Sequence, residues 1–294
     1  MMLFPFAADR ITKEYLSAEQ FAGCCDQLWS SDLRSPLPVD DRSAPRHGSL
    51  LYAKQDHARA LFPGLERRRA RVVLITAESD VPVGPDADIP LQVASWFAVN
   101  ADHRCVESLP LGLGNSYCRR TSKADLLARV AGMPKTGLLY VNFRVENNPA
   151  VRAPLWEKFR SAEWAGSAAC EQIKHTAADY ARAMASHRCV LCPAGNGIDT
   201  HRMWEALYAG TIPVVESHPA LDAFRDLPIL FVGSLATLGR GQLEAAYGEM
   251  LGRTWNYEKL FLPWWRERFE QSRRRIDRQL SWCAFLARRL RRVR

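Results

Sequence analysis

The chain has 294 residues, a hydrophobic content of 47% and a formal net charge of +8. This length and composition allow one large domain or two domains of ordinary size, each with its own core. No uncharged apolar run reaches the roughly 18 residues of a membrane-spanning helix, and the start lacks the basic and apolar regions of a signal peptide. We therefore expect a cytoplasmic protein.

The positive charge is concentrated at one end, because the eleven arginines and three acids of residues 266–294 account for the whole excess. The eight cysteines are scattered without the dense spacing of a disulfide framework, so we expect reduced thiols. His187, Cys189 and Cys192 have a metal-like spacing. They belong, however, to an apolar run that predicts a buried strand, in which Cys189 and Cys192 point to opposite faces. We predict no metal site.

Strands and helices alternate in the first part of the chain. The stretch up to about Pro63 mixes short helical patches with turns, and we interpret it as scaffold. The apolar run at 71–76 predicts a buried strand that leads into a polar loop, and residues 91–115 predict a helix or strand, a further strand and a glycine-rich loop. A helix follows at 121–133, with Thr121 or Ser122 as its N-cap.

A second alternating series begins after a turn at 134–137. Its predicted strands lie at 138–143, 187–193, 211–217 and 228–233, and its predicted helices lie at 154–164, 171–187 and 201–210. Strands separated by helices of this length are typical of parallel sheets that are covered on both faces. We predict an α/β fold of two Rossmann-like domains facing each other across a cleft, 1–133 and 134–252, with a helical tail at 253–294.

Residues 192–205 have the features of an anion site. A buried strand ends before Gly195 and Gly197, which allow a close approach of the backbone to a ligand. A helix then begins near Asp199 or Thr200. Its unpaired amide groups and the positive end of its dipole favour an anion at the carboxyl edge of a parallel sheet.

Four polar side chains accompany this junction. Asn196 offers amide hydrogen bonds, and Arg202 offers a fixed positive charge for a diphosphate. His201 and Glu205 are four residues apart and share one face of the helix. A carboxylate one turn beyond an anion pocket is able to accept hydrogen bonds from both ribose hydroxyls of a nucleotide. The alternative interpretation is a tight glycine turn followed by solvated helix residues.

The sequence CPAGNGIDTHRMWEALYAGTIPVV at 192–215 resembles the donor-binding segment of the exostosin-like glycosyltransferases and is more distantly similar to the α-1,3-fucosyltransferases. Patches at 71–80, 95–115 and 138–149 resemble bacterial members of the same group. The resemblance implies a GT-B fold, in which the C-terminal Rossmann-like domain binds most of the nucleotide sugar. It also implies transfer of a sugar from a UDP- or GDP-linked donor to a hydroxyl of a glycan or lipid-linked acceptor, with no other cofactor.

Carried over residue by residue, the resemblance assigns the donor site to the segment just described. Glu205 is expected to contact the donor ribose. Residues along the phosphates are expected to be Gly195, Asn196, Gly197 and Arg202, and we place Thr200 in the same donor site.

One position departs from the family pattern. Ala194 stands where exostosin-like proteins commonly have arginine, so one phosphate contact is missing. We expect Arg144, at the end of the strand at 138–143, or Arg152 beyond it, to supply that charge.

A GT-B enzyme that inverts the anomeric centre needs a base near the cleft to deprotonate the acceptor. Asp80, at the end of the first patch, is the first candidate, Glu78 is the second, and Asp102 or His103 is a third option. The Asp-Ala-Asp at 86–88 has the letters of a metal-binding motif but lies in a proline-rich loop. Because arginine and helix N-termini are able to carry the diphosphate charge, we expect no obligatory divalent metal.

The tail at 264–294 has apolar residues at helical spacings with arginines between them. A helix of this kind either lies on an anionic membrane surface, near a lipid-linked acceptor, or closes its apolar face over the first domain. Its charge also fits a nucleic-acid-binding protein, but that function leaves the glycine loop and Glu205 unexplained, so no nucleic acid is expected. A further alternative is a transferase fold that binds a sugar nucleotide without turning it over.

Overall fold

The computed structural model describes residues 7–29, 45–115, 123–167 and 176–291, with 279–291 as backbone only. Within these ranges the strands form two parallel sheets of five strands each. We call the part with the first sheet, up to residue 133, the first half, and the part with the second sheet, 134–251, the second half. The predicted α/β fold of two Rossmann-like halves with a helical tail is confirmed.

The first sheet has its strands in chain order, and its central strand is completely buried, as parallel sheets with both faces covered require. The strands are β1 (Gln27–Trp29), β2 (Leu50–Lys54), β3 (Val72–Ala77), β4 (Val93–Ala98) and β5 (Val106–Ser108). The helices of this half are α1 (Ala8–Glu14), α2 (Ala18–Ala22), α3 (Ala58–Arg68) and α4 (Lys123–Val130).

Two strands of this sheet lie in the stretch interpreted as scaffold. β1 has three residues, all of them half-buried, and β2 is buried almost throughout, so neither shows the alternation that identifies a strand in sequence. Pro63, expected to end the stretch, lies inside α3. The predicted N-cap at Thr121 or Ser122 lies outside the described residues.

The second sheet has the strand order β10-β9-β8-β6-β7. Its strands are β6 (Gly137–Val141), β7 (Ala165–Ser167), β8 (His187–Leu191), β9 (Ile212–Glu216) and β10 (Leu230–Val232). Its helices are α5 (Pro149–Phe159), α6 (Ala177–Ala185), α7 (His201–Tyr208) and α8 (Arg240–Leu251).

Several elements of the second half differ from the prediction, among them α8, for which no helix was predicted. α5 begins at Pro149, a residue favoured in the first helical turn, and it ends before β7, a short strand that was not predicted. α6 begins after a capping box formed by Thr176 and Asp179, and residues 171–175 of the predicted helix lie outside the described residues.

The helical tail α9 (Leu262–Arg291) closes over the first half. Phe269 is fully buried and packs edge to face on Phe97, with ring centroids 4.9 Å apart. Arg268 forms a two-pronged ion pair with Glu107 of β5. The second interpretation of the tail is therefore confirmed for its first turns, and contact of residues 264–294 with an anionic membrane stays a prediction. None of the helices in the described part of the chain combines the length and apolarity needed to cross a membrane.

The largest buried core joins the two halves and the tail, and α7 lies in it. Met203 and Leu207 are buried there, as predicted for the face of this helix that packs on the sheet. Cys189 and Cys192 are buried in different core clusters, on opposite faces of the second sheet. The domain boundaries at 133 and 252 stay predictions.

Candidate active site

A cavity of about 880 Å³ opens between the two halves. Nine of the residues that the sequence analysis named for catalysis or donor binding line it. From the first half these are Glu78 and Asp80, and from the second half Arg144, Gly195, Asn196, Gly197, Thr200, Arg202 and Glu205. The fold therefore brings both sets of predicted residues to one place.

The topology of the second sheet explains where the cavity lies. The strand order reverses between β6 and β8, because the chain continues from β6 to one edge of the sheet and from β8 to the other. In open parallel sheets, ligands bind outside the carboxyl ends of the strands at such a switch point. The loops after β6 and β8 supply Arg144 and the glycine loop to the cavity. The described strands of the first sheet have no such reversal.

The glycine loop, residues 193–199, is held from behind by Arg152. This buried guanidinium donates hydrogen bonds to the carbonyl oxygens of Ala194 at 2.9 Å, Pro193 at 3.2 Å and Arg144 at 2.8 Å. A Cβ on Gly195 would lie 2.8 Å from its Nη2 atom, so the loop has no room for a side chain there. Of the two arginines expected to replace the missing family charge, Arg144 is exposed at the cavity and Arg152 shapes the loop.

The same loop packs against the first half. A Cβ on Gly197 would lie 2.8 Å from the side-chain nitrogen of Asn100 and 3.3 Å from the backbone of Asp80. Next to it, the Asn196 amide donates a hydrogen bond to the Asp80 carboxylate at 3.3 Å. The predicted phosphate loop and the first base candidate are therefore neighbours across the two halves.

The N-terminus of α7 faces the cavity. Thr200 is its N-cap, but its side chain makes no capping bond, and its buried Oγ1 has no hydrogen-bond partner among the described residues. Buried hydroxyls are normally paired, so an orphaned one beside a helix N-terminus indicates a position where a ligand oxygen binds. Arg202 follows two residues later in the same wall.

Glu205 lies one turn further along α7 and is almost completely buried. Its carboxylate forms an ion pair with Lys123 and accepts a hydrogen bond from the Tyr180 hydroxyl at 2.8 Å. Burial alone would raise the pKa of Glu205, but the charge and hydrogen bond of Lys123 lower it to about 2. Burial and the Glu205 charge hold the pKa of Tyr180 well above its ordinary value. The expected ribose contact of Glu205 stays a prediction.

The two base candidates of the first half differ in their surroundings. Glu78 has a left-handed backbone, with φ of 60°. Its carboxylate accepts hydrogen bonds from Asn115 at 2.7 Å and from the Tyr52 hydroxyl at 3.3 Å, whereas the Asp80 side chain is exposed. The third option, Asp102 and His103, is not among the residues that line the cavity.

Sequence reasoning missed several cavity residues, including Lys123, Tyr180 and Asn115. Lys123 lies in a helix of the first half, and Tyr180 lies within a helix whose periodicity shows only a buried and an exposed face. Only the folded arrangement brings them to Glu205 and Glu78. His201, noted for sharing a face with Glu205, makes a 2.7 Å hydrogen bond through Nδ1 with the carbonyl of Gly112, again across the two halves.

Metal-binding groups show no cluster at this site. Among the described residues, no three or more His, Cys, Asp or Glu side chains are arranged to hold a metal ion. Asp86 and Asp88 are not among the residues that line the cavity. Among the described residues, the positive groups that line it include Arg144, Arg202 and Lys123.

A family model described as the RXYLT1 C-terminal domain matches residues 156–223. This range contains β8, the glycine loop and α7. A comparison with curated proteins finds no match. The exostosin-like resemblance is not among these similarities and stays a prediction.

Solved structures of α1,3-fucosyltransferase are similar over most of the chain. One is 13% identical, with a TM-score of 0.44, and the similarity covers 76% of this chain and 77% of that chain. A structure with GDP-fucose is 12% identical, with a TM-score of 0.40 and coverage of 77% of each chain. A structure with GDP is 12% identical, with a TM-score of 0.38 and coverage of 81% of this chain and 93% of that chain.

Proposed function

We propose that this protein is a glycosyltransferase that takes a hexose or pentose from a nucleoside-diphosphate sugar and transfers it to a hydroxyl of a glycan or lipid-linked acceptor. One observation carries the proposal. At the switch point of the second sheet, a glycine loop, a helix N-terminus with the orphaned Thr200 hydroxyl and two arginines surround one cavity. These are the groups that bind a diphosphate in parallel α/β proteins.

The second half supplies the donor site in this proposal. The diphosphate lies against the N-terminus of α7, with Thr200 and Arg202 on one side and Arg144 on the other. Glu205, one turn further, accepts hydrogen bonds from the ribose hydroxyls. The positive groups and the helix dipole also stabilise the charge that develops on the leaving nucleoside diphosphate, without an obligatory divalent metal.

The first half supplies the base. We favour Glu78 over Asp80, because Asn115 and Tyr52 orient the Glu78 carboxylate while Asp80 is exposed. The acceptor O–H proton moves to this carboxylate, and the acceptor oxygen forms a bond with the anomeric carbon. The bond from that carbon to the diphosphate oxygen breaks, and the nucleoside diphosphate leaves with the electron pair.

A thermal-shift screen with UDP, GDP, CDP and their sugars tests the donor assignment. One nucleoside diphosphate class is expected to raise the melting temperature, because a ligand that binds only the folded state stabilises it. Glu205→Ala is expected to lose most of this shift. Glu244→Ala, which removes an exposed carboxylate of α8, is the matched control and is expected to keep it.

The outcome of the screen separates the alternatives. Stabilisation without sugar transfer or donor hydrolysis would support the alternative in which the protein binds a sugar nucleotide without turning it over. No stabilisation by any of these ligands at millimolar concentration would contradict the donor site. Salt-dependent binding of a polynucleotide, lost on removal of residues 266–294, would support the nucleic-acid alternative instead.

A further inference from the structure

Lys123 belongs to the first half, but its side chain contacts the second. It belongs to α4, and its ammonium group forms an ion pair with Glu205 of α7. The side chain of Lys123 is 17% exposed, whereas that of Glu205 is 5% exposed. The ammonium group therefore lies at the surface of the cavity, against a carboxylate buried in its wall.

The position of Lys123 is unfavourable for a cation that serves only to stabilise the fold. An ion pair removed from water gains little, because desolvation of both groups offsets their attraction. Glu205 has a second partner in Tyr180. A bound anion would make the same position favourable.

Lys123 lines the same cavity as the N-terminus of α7 and its orphaned Thr200 hydroxyl. The Nζ atom of Lys123 and the Nε2 atom of His201 both lie 3.9 Å from the position of a Cβ on Gly114. An ammonium group donates three hydrogen bonds, and among the described residues Glu205 is the acceptor of one of them.

We propose that Lys123 is a donor-binding residue, which contacts the distal phosphate of the nucleoside diphosphate while the ribose hydroxyls replace it on Glu205. The proposal rests on the proposed function. The exchange leaves every group partnered, because Lys123 passes from a carboxylate to a phosphate and Glu205 passes from an ammonium group to hydroxyl donors. Both halves then build the donor site.

Isothermal titration calorimetry separates the phosphate contact from the ribose contact. The ligands are UDP, GDP and CDP with the corresponding monophosphates and nucleosides. Lys123→Met is expected to lower the diphosphate affinity at least about tenfold and the nucleoside affinity less than about twofold, because a charge-assisted phosphate contact is lost. Glu205→Gln is expected to weaken all three ligands alike. Lys13→Met, which removes an exposed lysine of α1, is the matched control and leaves all affinities unchanged.

Two further variants cover the case in which Lys123→Met fails to fold, since it leaves Glu205 buried without a counter-ion. Lys123→Arg keeps the charge and is expected to keep the preference for diphosphate over monophosphate. The double variant Lys123→Met with Glu205→Gln removes both charges of this ion pair and is expected to lose that preference. If the double variant keeps the wild-type preference for diphosphate over monophosphate, the proposed role of Lys123 is wrong, but the proposed function is not affected. A wild-type protein that binds none of the three diphosphates overturns the proposed function, and the role of Lys123 with it.

Discussion

The carboxylate of Asp199, in the second half, accepts a hydrogen bond at 2.8 Å from the backbone amide of Leu111, in the first half. The indole nitrogen of Trp204 donates to both oxygens of this carboxylate, at 2.8 and 3.0 Å. The backbone amide of Asp199 in turn donates to the side-chain oxygen of Asn100 at 2.7 Å. A single buried residue of the cavity wall therefore joins the two halves from both its side chain and its backbone.

Asp199 is expected to make the stability of the protein depend on pH. Burial raises its pKa from 3.8 to about 7, although the hydrogen bonds from Leu111 and Trp204 oppose the change. The folded state therefore holds this proton more tightly than the unfolded state. The resulting stabilisation is complete below about pH 4 and is lost as the pH rises through about 7.

Asp199→Asn removes this titration. We expect the free energy of unfolding of the wild type, relative to the variant, to fall by up to about 4 kcal/mol between pH 4 and pH 8. Urea denaturation across this range measures the difference. Asp222→Asn, at an exposed aspartate, serves as the control and is expected to show a much smaller change. A difference that is constant over the range would contradict the prediction.

Gly197→Ala is expected to disturb the contact between the halves. The added methyl group would lie 3.3 Å from the backbone of Asp80 and 2.8 Å from the Asn100 side chain, which is itself held by hydrogen bonds with Ser79 and Asp199. Overpacking of this kind costs about 1–3 kcal/mol of stability. We also expect weaker nucleotide binding, because the displaced loop is the predicted phosphate site.

Gly84→Ala is the matched control for Gly197→Ala. It also replaces a loop glycine, but a Cβ there meets nothing within 4 Å. Its free energy of unfolding and its nucleotide affinity are expected to stay near those of the wild type. Equal effects of the two substitutions on both measurements would show that the contact with Asp80 and Asn100 is unimportant.

The choice between the two base candidates is open to a kinetic test. We expect Glu78→Gln to lower kcat about 10²–10⁴-fold, the range typical of a lost general base, with little change in donor affinity. Asp80→Asn is expected to have a smaller effect, because its exposed carboxylate has one long hydrogen bond, from Asn196, where Glu78 has two partners. Glu66→Gln, on the exposed face of α3, is the control. A larger loss in Asp80→Asn would restore the order that the sequence suggested.

The donor segment could be predicted from the sequence because its signals are local. A buried strand, two glycines and the beginning of a helix follow one another within a few residues. Together they determine both the junction and the residues that surround it. The strand order of the second sheet then places this junction at the switch point with Arg144. Local signals and topology agree at this position, so all the predicted donor residues line one cavity.

The partners of those residues could not be predicted, because they come from elements far apart in the chain. Lys123 meets Glu205 across 82 residues, and Leu111 meets Asp199 across 88. Nothing in the sequence near Lys123 distinguishes it from an ordinary residue at the start of a helix. For the same reason the sequence does not show that Asn115 and Tyr52 contact Glu78, and the order of the two base candidates stays a prediction.

The tail is expected to be part of the fold rather than an attached basic segment. Phe269 is fully buried, and its ring packs edge to face on Phe21 and Phe97 of the first half. Phe269→Ala is expected to lower the free energy of unfolding by about 3–5 kcal/mol, measured by denaturant titration. Arg275→Ala, on the exposed side of the same helix, is expected to change it by less than about 0.5 kcal/mol. If the only role of the tail were to bind a membrane or a polynucleotide, Phe269→Ala would cause no loss of stability. Arg275→Ala would then weaken that binding more than Phe269→Ala does.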